Sequence, residues 1–380
     1  MDLTEARGKI DEIDGQLVDL FCRRMELGRE IAAWKKAHGL PLTDPERERK
    51  KLVEVTEQAG EEFRGYTAAL YSQLFDLSKA FQAQLNREKA PLCDLIEKAI
   101  ARTPEVFPEY AAVACQGVEG AYSQQACEKL FSVPNILYFK SFDGVFAAIE
   151  KGLCRYGVLP IENSTAGSVS AVYDLMMRHR FYIVRSVRMK VDHCLLAPAG
   201  VKLTDVREVV SHEQALNQCA GYLKSLGDVK LTVFENTAAA AKYAAQSGRR
   251  DVAALSSRSC AALYGLDILG EGVQDQRGNY TRFICIAREP EIYPGADKTS
   301  FMAVTPHKPG SLYKLLSRFF SLGINLTKLE SRPLPEREFE FMFYFDLEKP
   351  IRAPQMIGLL GELEELCERF EYLGSYSEIV

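Results

Sequence analysis

The N-terminal fold is decided by one stretch, residues 3–36, which reads LTEARGKIDEIDGQLVDLFCRRMELGREIAAWKK. Apolar residues recur in it at alternating spacings of three and four, which is the period of one face of an α-helix. They are Leu3, Ala6, Ile10, Ile13, Leu17, Leu20, Leu27, Ile31 and Trp34. The pattern predicts one long amphipathic helix with a heptad-like seam, which ends near Gly39 and Pro41.

Two more helices are predicted in the rest of the N-terminal region. The second begins either with a capping box that starts at Thr43, or with Asp44 as the cap and Pro45 as the first helical residue. Gly60 and Gly65 bracket the next break, after which apolar residues again fall on one helical face. The region therefore predicts three helices, of which the first is unusually long.

Composition and charge exclude several classes of protein. The 380 residues are 47% hydrophobic and 26% charged, which is typical of a globular protein with two or three domains. No apolar run approaches the ~18 residues that span a bilayer, and six of the first twelve residues are charged, so neither a membrane span nor a signal peptide is expected. The net charge of −5 gives no general attraction for nucleic acid.

The ten cysteines are scattered and form no Cys-x-x-Cys pair. This spacing fits neither a zinc site nor a disulfide framework, so we expect reduced thiols and a cytoplasmic protein. The sequence has neither a dinucleotide nor a P-loop glycine fingerprint and no cluster of His and Cys. We therefore expect no cofactor and no metal.

The change in pattern along the chain predicts the domain organisation. Short strands rich in Val, Ile and Phe alternate with helices after the first linker, and the last part follows the order βαββαβ of a ferredoxin-like fold. The predicted parts are an all-helical domain over 1–90, a linker over 91–109, an α/β domain over 110–288 and a ferredoxin-like domain over 299–377.

One basic residue interrupts the apolar seam of the first helix. Counting sevens from Ile10 places Arg24 where an apolar residue belongs; the side chain either extends to solvent, meets a carboxylate of a partner helix, or binds an anion. Lys35 lies three turns further on the same side, about 16 Å away, so both could converge on a small ligand. Arg7 is about 25 Å from Arg24, and could reach that ligand only from a second chain.

Two further pairs of polar residues lie one turn apart on the second and third helices. With the basic residues they form the series Arg7, Arg24, Lys35, Asp44, Glu48, Ser78 and Gln82. This series, over the whole of residues 1–90, resembles the all-helical chorismate mutases, which form an intertwined dimer. The resemblance implies catalysis by conformational restraint and charge stabilisation, because chorismate is a dicarboxylate that rearranges without proton transfer.

The roles that this resemblance implies divide the series into three groups. In the first group, the carboxylates are bound by Arg24, Ser78 and the partner subunit's Arg7. In the second, the breaking ether oxygen accepts hydrogen bonds from Lys35 and Gln82. In the third, the ring hydroxyl donates to Glu48, which the Asp44 backbone assists. Lys35, Glu48 and Gln82 are the expected catalytic residues.

Two polar loops stand out in the α/β region, and each alone is typical of an ordinary capped loop. LPIENSTAGS, residues 159–168, follows a strand, and NYTRF, residues 279–283, leads into one. Together with segments 117–123, 211–219 and 236–240 they resemble prephenate dehydratase. The resemblance implies two subdomains built like a type II periplasmic binding protein, with a cleft between them.

The expected subdomains are residues 110–187 with 266–288, and residues 188–265. Prephenate loses its ring hydroxyl and ring carboxylate together, which requires a proton donor and contacts to the carboxylates. The resemblance implies that Thr281 assists departure of the hydroxide and that Arg282 binds a carboxylate. It implies that the substrate is positioned by Asn163, Ser211 and Gln218. The residues expected nearby in the cleft are Glu162, Ser164 and Phe283. His212 is more typical of a structural histidine at the start of a helix.

Two motifs in the last region resemble the regulatory ACT domain of such dehydratases. Pro309-Gly310-Ser311-Leu312 opens a helix, and Glu330-Ser331-Arg332-Pro333 ends a strand. The resemblance implies that paired domains bind phenylalanine at their interface, and a helix start suits its carboxylate. The expected effector residues are Pro309, Gly310, Ser311, Leu312, Asn325, Leu326, Glu330 and Ser331. A dimerisation domain without a ligand is the alternative.

These features predict a bifunctional enzyme that converts chorismate to prephenate and then to phenylpyruvate, inhibited by L-phenylalanine, as a homodimer or higher oligomer. One alternative is a ligand-responsive transcription regulator with a periplasmic-binding-like effector domain. Residues 1–90 contain 15 Lys and Arg against 17 Asp and Glu, which does not favour DNA binding. Another alternative is a monofunctional dehydratase with a structural helical arm.

Overall fold

The computed structural model describes residues 2–40, 44–86, 90–276, 278–335, 337 and 340–380. The chain forms two compact units, Met1–Asp94 with Gly358–Glu365, and Leu95–Ile357 with Leu366–Val380. None of the described helices is both long enough and apolar enough to cross a membrane.

The first unit is built on helices, as the apolar periodicity predicts. Its N-terminal helices are α1 (Leu3–Ala37), α2 (Pro45–Gln58) and α3 (Gly60–Asn86). The next helix, α4 (Pro91–Arg102), begins in the first unit, and its residues from Leu95 onward belong to the second. The Asp44 side chain accepts the Arg47 N–H at 3.1 Å and Pro45 is the first residue of α2, so Asp44 is the cap. Thr43 and Pro41, used in the predicted boundaries, lie outside the described residues.

One expectation for this region needs correction. The break at Gly65 is wrong, because α3 begins at Gly60 and continues through Gly65; a glycine inside a helix costs only about 1 kcal/mol relative to Ala, which the long helix tolerates. The predicted linker over 91–109 includes one helix. Its short helix α4 buries the apolar side chains of Leu92 and Ile96.

The second unit contains the remaining strands and helices. The strands are β1 (Tyr110–Gln116), β2 (Val133–Phe139), β3 (Tyr156–Asn163), β4 (Gly167–Ser168), β5 (Tyr182–Lys190), β6 (Cys194–Pro198), β7 (Glu208–Ser211), β8 (Lys230–Val233), β9 (Val252–Ser256), β10 (Leu266–Gly270), β11 (Tyr280–Ala287), β12 (Lys298–Val304), β13 (Asn325–Pro333), β14 (Phe341–Glu348), β15 (Arg369–Tyr376) and β16 (Glu378–Ile379). The helices are α5 (Tyr122–Leu130), α6 (Phe142–Glu150), α7 (Ser170–Met176), α8 (Glu213–Gln218), α9 (Ala220–Ser225), α10 (Thr237–Gln246), α11 (Arg258–Tyr264), α12 (Ser311–Ser321) and α13 (Met356–Leu366), the last of which bridges the division between the two units.

The α/β region consists of two lobes, each with its own sheet. The first sheet has the order β16-β5-β11-β3-β1-β2 with β4 beside β3, and the second has the order β10-β6-β9-β7-β8. The chain passes to the second lobe between β5 and β6 and returns between β10 and β11. The expected first subdomain wrongly included residues 266–270. Gly265 takes a left-handed conformation after α11, so β10 turns back and pairs antiparallel with β6 of the second lobe.

The C-terminal region forms a third sheet with the order β13-β14-β12-β15. Two helices fall between its strands along the chain, so the predicted βαββαβ order of elements is confirmed. Its apolar residues join the core of the first lobe, where the Tyr173 and Tyr344 rings meet edge to face at 5.0 Å. The last residues add β16 to the first sheet beside β5, a pairing that the sequence did not predict.

Gly374 in β15 requires the absence of a side chain. Its φ is 137°, and a Cβ atom there would collide with the backbone of Ile183 in β5. The third sheet therefore approaches the first lobe backbone to backbone, and larger residues at 374 would separate them.

Candidate active sites

The helices of the first unit enclose a cavity of about 630 Å³, the helical cavity. It contains every predicted mutase residue except Arg7, namely Arg24, Lys35, Asp44, Glu48, Ser78 and Gln82. Arg7 lies on α1 as an exposed residue outside the cavity. Within one chain, the sequence-predicted site is thus assembled but for the residue assigned to a second subunit.

Arg24 points to α3 and keeps its charge available. Its guanidinium donates to the Ser78 hydroxyl at 2.5 Å and to the Leu74 carbonyl at 3.3 Å, and it lies 5.7 Å from the centre of the Phe75 ring. In the described part of the chain no carboxylate pairs with it. Arg24 therefore does not take the two ordinary options, extension into solvent or a carboxylate partner, and an anion can pair with it.

Glu48 meets a cation that the sequence reasoning missed. Lys79 lies 3.1 Å from Glu48 and 3.1 Å from Asp76. Burial opposes the charge on Lys79, but hydrogen bonds to Glu48 and Asp76 raise its pKa above the ordinary value. Lys79 directly follows Ser78 in the sequence, and this proximity to a predicted residue was the available signal.

Gly28 lets the third helix approach the first at Gln82. A Cβ atom on residue 28 would come within 3.2 Å of the Gln82 amide nitrogen, and Gly28 is buried. The glycine therefore admits the carboxamide to the helical cavity, and a larger residue would push Gln82 away.

A second cavity of about 500 Å³, the cleft, is lined by both lobes of the α/β region. Of the eight residues predicted there, Asn163, Gln218, Thr281 and Phe283 line it. Asn163 and Thr281 face each other on the paired strands β3 and β11, whereas Gln218 ends α8 in the second lobe. Residues far apart in the sequence therefore meet in one place, as expected.

Asn163 organises the hydrogen bonds of the cleft. Its Oδ1 accepts the backbone N–H groups of Thr165 at 3.1 Å and of Ala166 at 2.9 Å. Its Nδ2 therefore faces the other way and donates to Thr281 Oγ1 at 2.9 Å and to Asn279 Oδ1 at 2.7 Å. Because Thr281 accepts this bond, its own hydroxyl proton can point to a ligand.

Arg282 does not reach the cleft, and its predicted contact with substrate is corrected. Successive residues of a strand face opposite sides, so Thr281 and Phe283 face the cleft and Arg282 faces the third sheet. Its guanidinium is buried, contacts Asp346 at 2.5 Å and Glu162 at 3.3 Å, and donates to the Tyr376 hydroxyl at 2.8 Å. Arg282 thus ties β11 to the C-terminal sheet.

Three more predicted residues lie outside the cleft lining. Glu162 alternates with Asn163 on β3 and pairs with Lys328 at 3.1 Å. The Ser211 hydroxyl is fully buried and donates to the Leu255 carbonyl at 2.7 Å. The Ser164 hydroxyl donates to the Gly278 carbonyl at 2.8 Å. Each of these side chains is used within the fold, and this could not be read from position in a motif.

The described residues that line the cleft include no lysine or arginine. Donors for an anion come instead from side-chain amides and hydroxyls and from helix starts, since α5 and α10 begin at the cleft. The Asn236 side chain caps α10 by accepting the Ala239 N–H at 2.7 Å. Glu235 adds a carboxylate to this lining, and the expectation of a cationic carboxylate contact there is not met.

Sequence reasoning missed three residues of the cleft network. Thr165 and Asn279 lie within the two polar loops, so the loops themselves were the signal. His193 had none, since it is a single histidine before an apolar strand. His212 caps α8 through Nδ1, which accepts the Gln214 N–H at 3.3 Å, so its interpretation as structural agrees with the geometry.

The predicted effector residues separate into two groups. Pro309, Gly310, Ser311 and Leu312 line a hollow of about 560 Å³ at the start of α12, together with Phe341 and Phe343 among other residues. Asn325, Leu326, Glu330 and Ser331 lie along β13 and do not line this hollow. The Glu330 carboxylate accepts the Ser168 hydroxyl of the first lobe at 2.7 Å, next to the cleft.

Protein families match both halves of this arrangement. The family model described as prephenate dehydratase matches residues 113–291, and the one described as chorismate mutase type II matches residues 6–83.

All ten cysteines are free thiols.

Individual proteins match the larger part of the chain. A relative from Arabidopsis thaliana, arogenate dehydratase/prephenate dehydratase 2, chloroplastic, is 43% identical over 276 residues, which cover 70% of this chain and 72% of the relative. A structure described as GqqA, a novel type of quorum quenching acylase, is 34% identical with a TM-score of 0.64, and covers 70% of this chain and 97% of its own. Prephenate dehydratase from Arthrobacter aurescens in complex with L-Phe is 26% identical with a TM-score of 0.65, and covers 70% and 90%.

These comparisons correct one expectation and establish the family. The expectation of a cytoplasmic protein is contradicted, because Arabidopsis relatives are named chloroplastic. The two lobes and the cleft agree with the periplasmic-binding-like fold of the solved dehydratases. The chain belongs to the family of arogenate and prephenate dehydratases, and carries a chorismate mutase type II domain at its N-terminus.

Proposed function

We propose that this protein is bifunctional: the helical cavity rearranges chorismate to prephenate, and the cleft converts prephenate to phenylpyruvate. The observation that carries the proposal is the convergence of the mutase series on the helical cavity of a chain whose second unit belongs to the dehydratase family. It is this convergence that argues against a purely structural helical arm.

The helical cavity offers what the rearrangement needs. Arg24, held by Ser78, is available for a carboxylate of chorismate, and Lys35 and Gln82 are the donors for the ether oxygen, where negative charge grows as the C–O bond breaks. Glu48 is the acceptor for the ring hydroxyl. The donors are positioned before the substrate binds, so little reorganisation is needed during the reaction.

A homodimer is part of the proposal. Residues Ile10, Leu17 and Ile31 of the α1 seam are each about half exposed, which leaves a long apolar stripe for a second copy of this helix. Such pairing also brings the partner subunit's Arg7 toward the helical cavity, which Arg7 of the same chain cannot reach.

In the cleft, Thr281 is the group for the leaving hydroxyl. The bond from the ring to its carboxylate breaks and its electron pair enters the ring, while the C–O bond to the hydroxyl breaks with its electron pair on oxygen. Carbon dioxide and hydroxide leave, and the hydroxide takes up a proton from solvent to become water. The hydrogen bond that Asn163 donates to Thr281 Oγ1 turns the threonine proton toward the substrate. Thr281 assists by hydrogen bonding, and the amides of Asn163 and Gln218 position the ring.

Arogenate is the second candidate substrate for the cleft. The Arabidopsis relative is named for both arogenate and prephenate, which differ in an amino group in place of a keto group. Rates with the two substrates at equal concentration decide which one this chain prefers.

The proposal includes feedback inhibition by L-phenylalanine through the C-terminal sheet acting as an ACT domain. The hollow at Gly310 and Ser311 places the uncapped start of α12 beside the aromatic residues Phe341 and Phe343, which suits a carboxylate and a phenyl ring. The Arthrobacter aurescens dehydratase was solved with L-Phe. Glu330 links the same sheet to Ser168 at the cleft.

One experiment tests the whole proposal. Purified protein is incubated with chorismate, and prephenate and phenylpyruvate are followed separately, with and without L-phenylalanine. We expect prephenate to form and then decline as phenylpyruvate appears, and the second step to slow with phenylalanine. Chorismate left unchanged while added prephenate is consumed would support the monofunctional dehydratase, and binding of DNA at low salt without turnover would support the regulator.

A further inference from the structure

His193 lies where the chain passes from the first lobe to the second. Its backbone N–H donates to Gln274 Oε1 at 2.9 Å and its carbonyl accepts the Val273 N–H at 3.0 Å, so the segment that leaves the first lobe is tied to the segment that returns to it. The side chain is 2% exposed and lines the cleft. None of the roles proposed above uses this histidine.

The hydrogen-bond directions around His193 are determined by the backbone. Two backbone N–H groups fix Asn163 Oδ1 as an acceptor, so Asn163 Nδ2 donates to Asn279 Oδ1. Asn279 must then present its Nδ2, which donates to Gln218 Oε1 at 2.9 Å. The amide orientations therefore follow one from another and are not a free choice.

The same logic fixes the tautomer of the imidazole. His193 Nε2 lies 3.1 Å from Gln218 Oε1, and a carboxamide oxygen can only accept. The hydrogen is therefore on Nε2, and Nδ1 carries the lone pair. Burial lowers the pKa of His193, which favours this neutral form. Nδ1 has no partner in the described part of the chain.

The consequence lies in the direction of the Gln218 amide. With its oxygen held by two donors, from His193 and Asn279, its Nε2 turns the other way and donates to Thr165 Oγ1 at 2.9 Å. The same Nε2 lies 3.5 Å from Asn163 Oδ1, so the N–H side of Gln218 is turned toward Asn163 in the lining of the cleft. A flipped amide would present an oxygen, which repels the carboxylates of the substrate.

We propose that His193 is a positioning residue of the dehydratase site, whose Nε2–H holds the Gln218 carboxamide with its NH2 group toward the cleft. The inference rests on the proposed dehydratase function. It assigns no substrate contact to His193, which acts through Gln218.

Two substitutions separate the ring nitrogens. His193→Gln can place an amide N–H near the position of Nε2, whereas His193→Asn places its polar atoms near Nδ1 and cannot reach Gln218. We expect His193→Asn to lower kcat/KM for the preferred substrate at least tenfold and His193→Gln to retain it within about threefold. Equal losses in both variants, or no loss in either, would overturn the proposal. His179→Gln is the control, since His179 stacks on Phe146 away from the cleft lining and should keep full activity.

A double-mutant cycle with Gln218→Ala tests the route of the effect. If His193 acts through Gln218, adding His193→Asn to Gln218→Ala costs less than twofold, because the group it positions is already gone. A purely structural role predicts that the two losses multiply. Thermal unfolding of each variant identifies those that fail to fold, and His193→Gln then keeps the test decisive.

Nitrogen NMR of protein with isotopically labelled histidines determines the tautomer of His193 without an activity measurement. With His193→Gln to assign the signals, we expect a proton on Nε2 and none on Nδ1 at pH 7. A proton on Nδ1 would overturn the inference even in a fully active enzyme. Wild-type protein with the expected tautomer but no turnover of prephenate or arogenate would instead refute the proposed function.

Discussion

The helical cavity and the cleft are proposed to bind similar dianionic rings, yet different kinds of side chain line them. The helical cavity presents Arg24, Lys35 and Lys79, whereas the described lining of the cleft holds amides, hydroxyls and helix starts but no lysine or arginine. Arg24 and Lys79 are half-buried, so solvent still stabilises them, while a cation enclosed between two lobes needs a paired carboxylate.

The difference also fits the two proposed reactions. In the mutase step negative charge grows on the ether oxygen, so cations stabilise the transition state more than the ground state. In the dehydratase step the ring carboxylate leaves as neutral carbon dioxide. A strong cation on that carboxylate would stabilise the ground state and slow the reaction. Neutral donors bind the substrate without that penalty.

The largest expected effect is on the charged site. Arg24→Ala should lower mutase kcat/KM by about a thousandfold, because it removes a positioned cation and leaves the Ser78 hydroxyl without its partner. Dehydratase rates on added prephenate should not change. Arg23→Ala, an exposed neighbour outside the helical cavity, is the matched control. Equal losses in both activities would mean that the two sites are not independent.

The cleft should be less sensitive than the helical cavity, but it too should depend on a single side chain. Thr281→Ala is expected to lower dehydratase kcat about a hundredfold and leave the mutase step intact, since it removes the donor to the leaving oxygen. Thr281→Ser keeps the hydroxyl and should recover most of the rate. Wild-type activity of the alanine variant on prephenate would show that Thr281 does not assist departure of the hydroxyl.

Arg282 tests whether the cleft is truly without a cation. Arg282→Met leaves Asp346 buried and unpaired, so we expect a loss of about 3–5 kcal/mol of stability and a KM for the substrate within about twofold of wild type. Steady-state kinetics and thermal unfolding measure the two quantities. A KM raised more than tenfold at unchanged stability would place this charge in substrate binding and remove the contrast between the sites.

Arg188→Met provides the comparison for that variant. Arg188 lies on the neighbouring strand β5 and pairs with Glu378 at 2.7 Å, but its side chain is 45% exposed. The Glu378 side chain is only 5% exposed, but it also contacts Arg282 at 3.1 Å and Lys298 at 3.7 Å, so it keeps cationic partners and this substitution should cost less stability than Arg282→Met.

The smallest expected effect is on thermal stability, and it comes from the carboxylate of Glu208 in the second lobe. Hydrogen bonds from Thr232, Arg249 and Lys230 lower the pKa of Glu208 to about 2, from an ordinary value of 4.5. Its stabilisation is therefore complete above about pH 4.5 and is lost as the pH falls toward 2. Glu208→Gln should melt a few degrees below wild type at pH 6–7.

The pH dependence of that difference is the decisive measurement. The gap in melting temperature between wild type and Glu208→Gln should narrow progressively below pH 4.5, with dehydratase activity at pH 7 unchanged, since Glu208 is outside the cleft lining. A gap that stays constant down to pH 2.5 would contradict a lowered pKa.

Local signals were sufficient for much of the molecule. The three-four spacing predicted α1, the Asp44-Pro45 cap predicted the start of α2, and strand and helix patterns predicted the βαββαβ order. The charged site was predictable for the same reason. Arg24 and Lys35 lie on one helix, so their relative placement follows from helical geometry alone.

The contacts between strands and between lobes were decided by tertiary structure. Adjacent residues Thr281 and Arg282 occur in one motif, yet strand alternation sends one to the cleft and the other to Asp346, 64 residues away. The sequence by itself determined the elements, the helical site and the motifs of the dehydratase. Only the packing of the lobes with the C-terminal sheet decided which motif residues face the cleft, because burial and hydrogen-bond partners depend on chain segments distant in sequence.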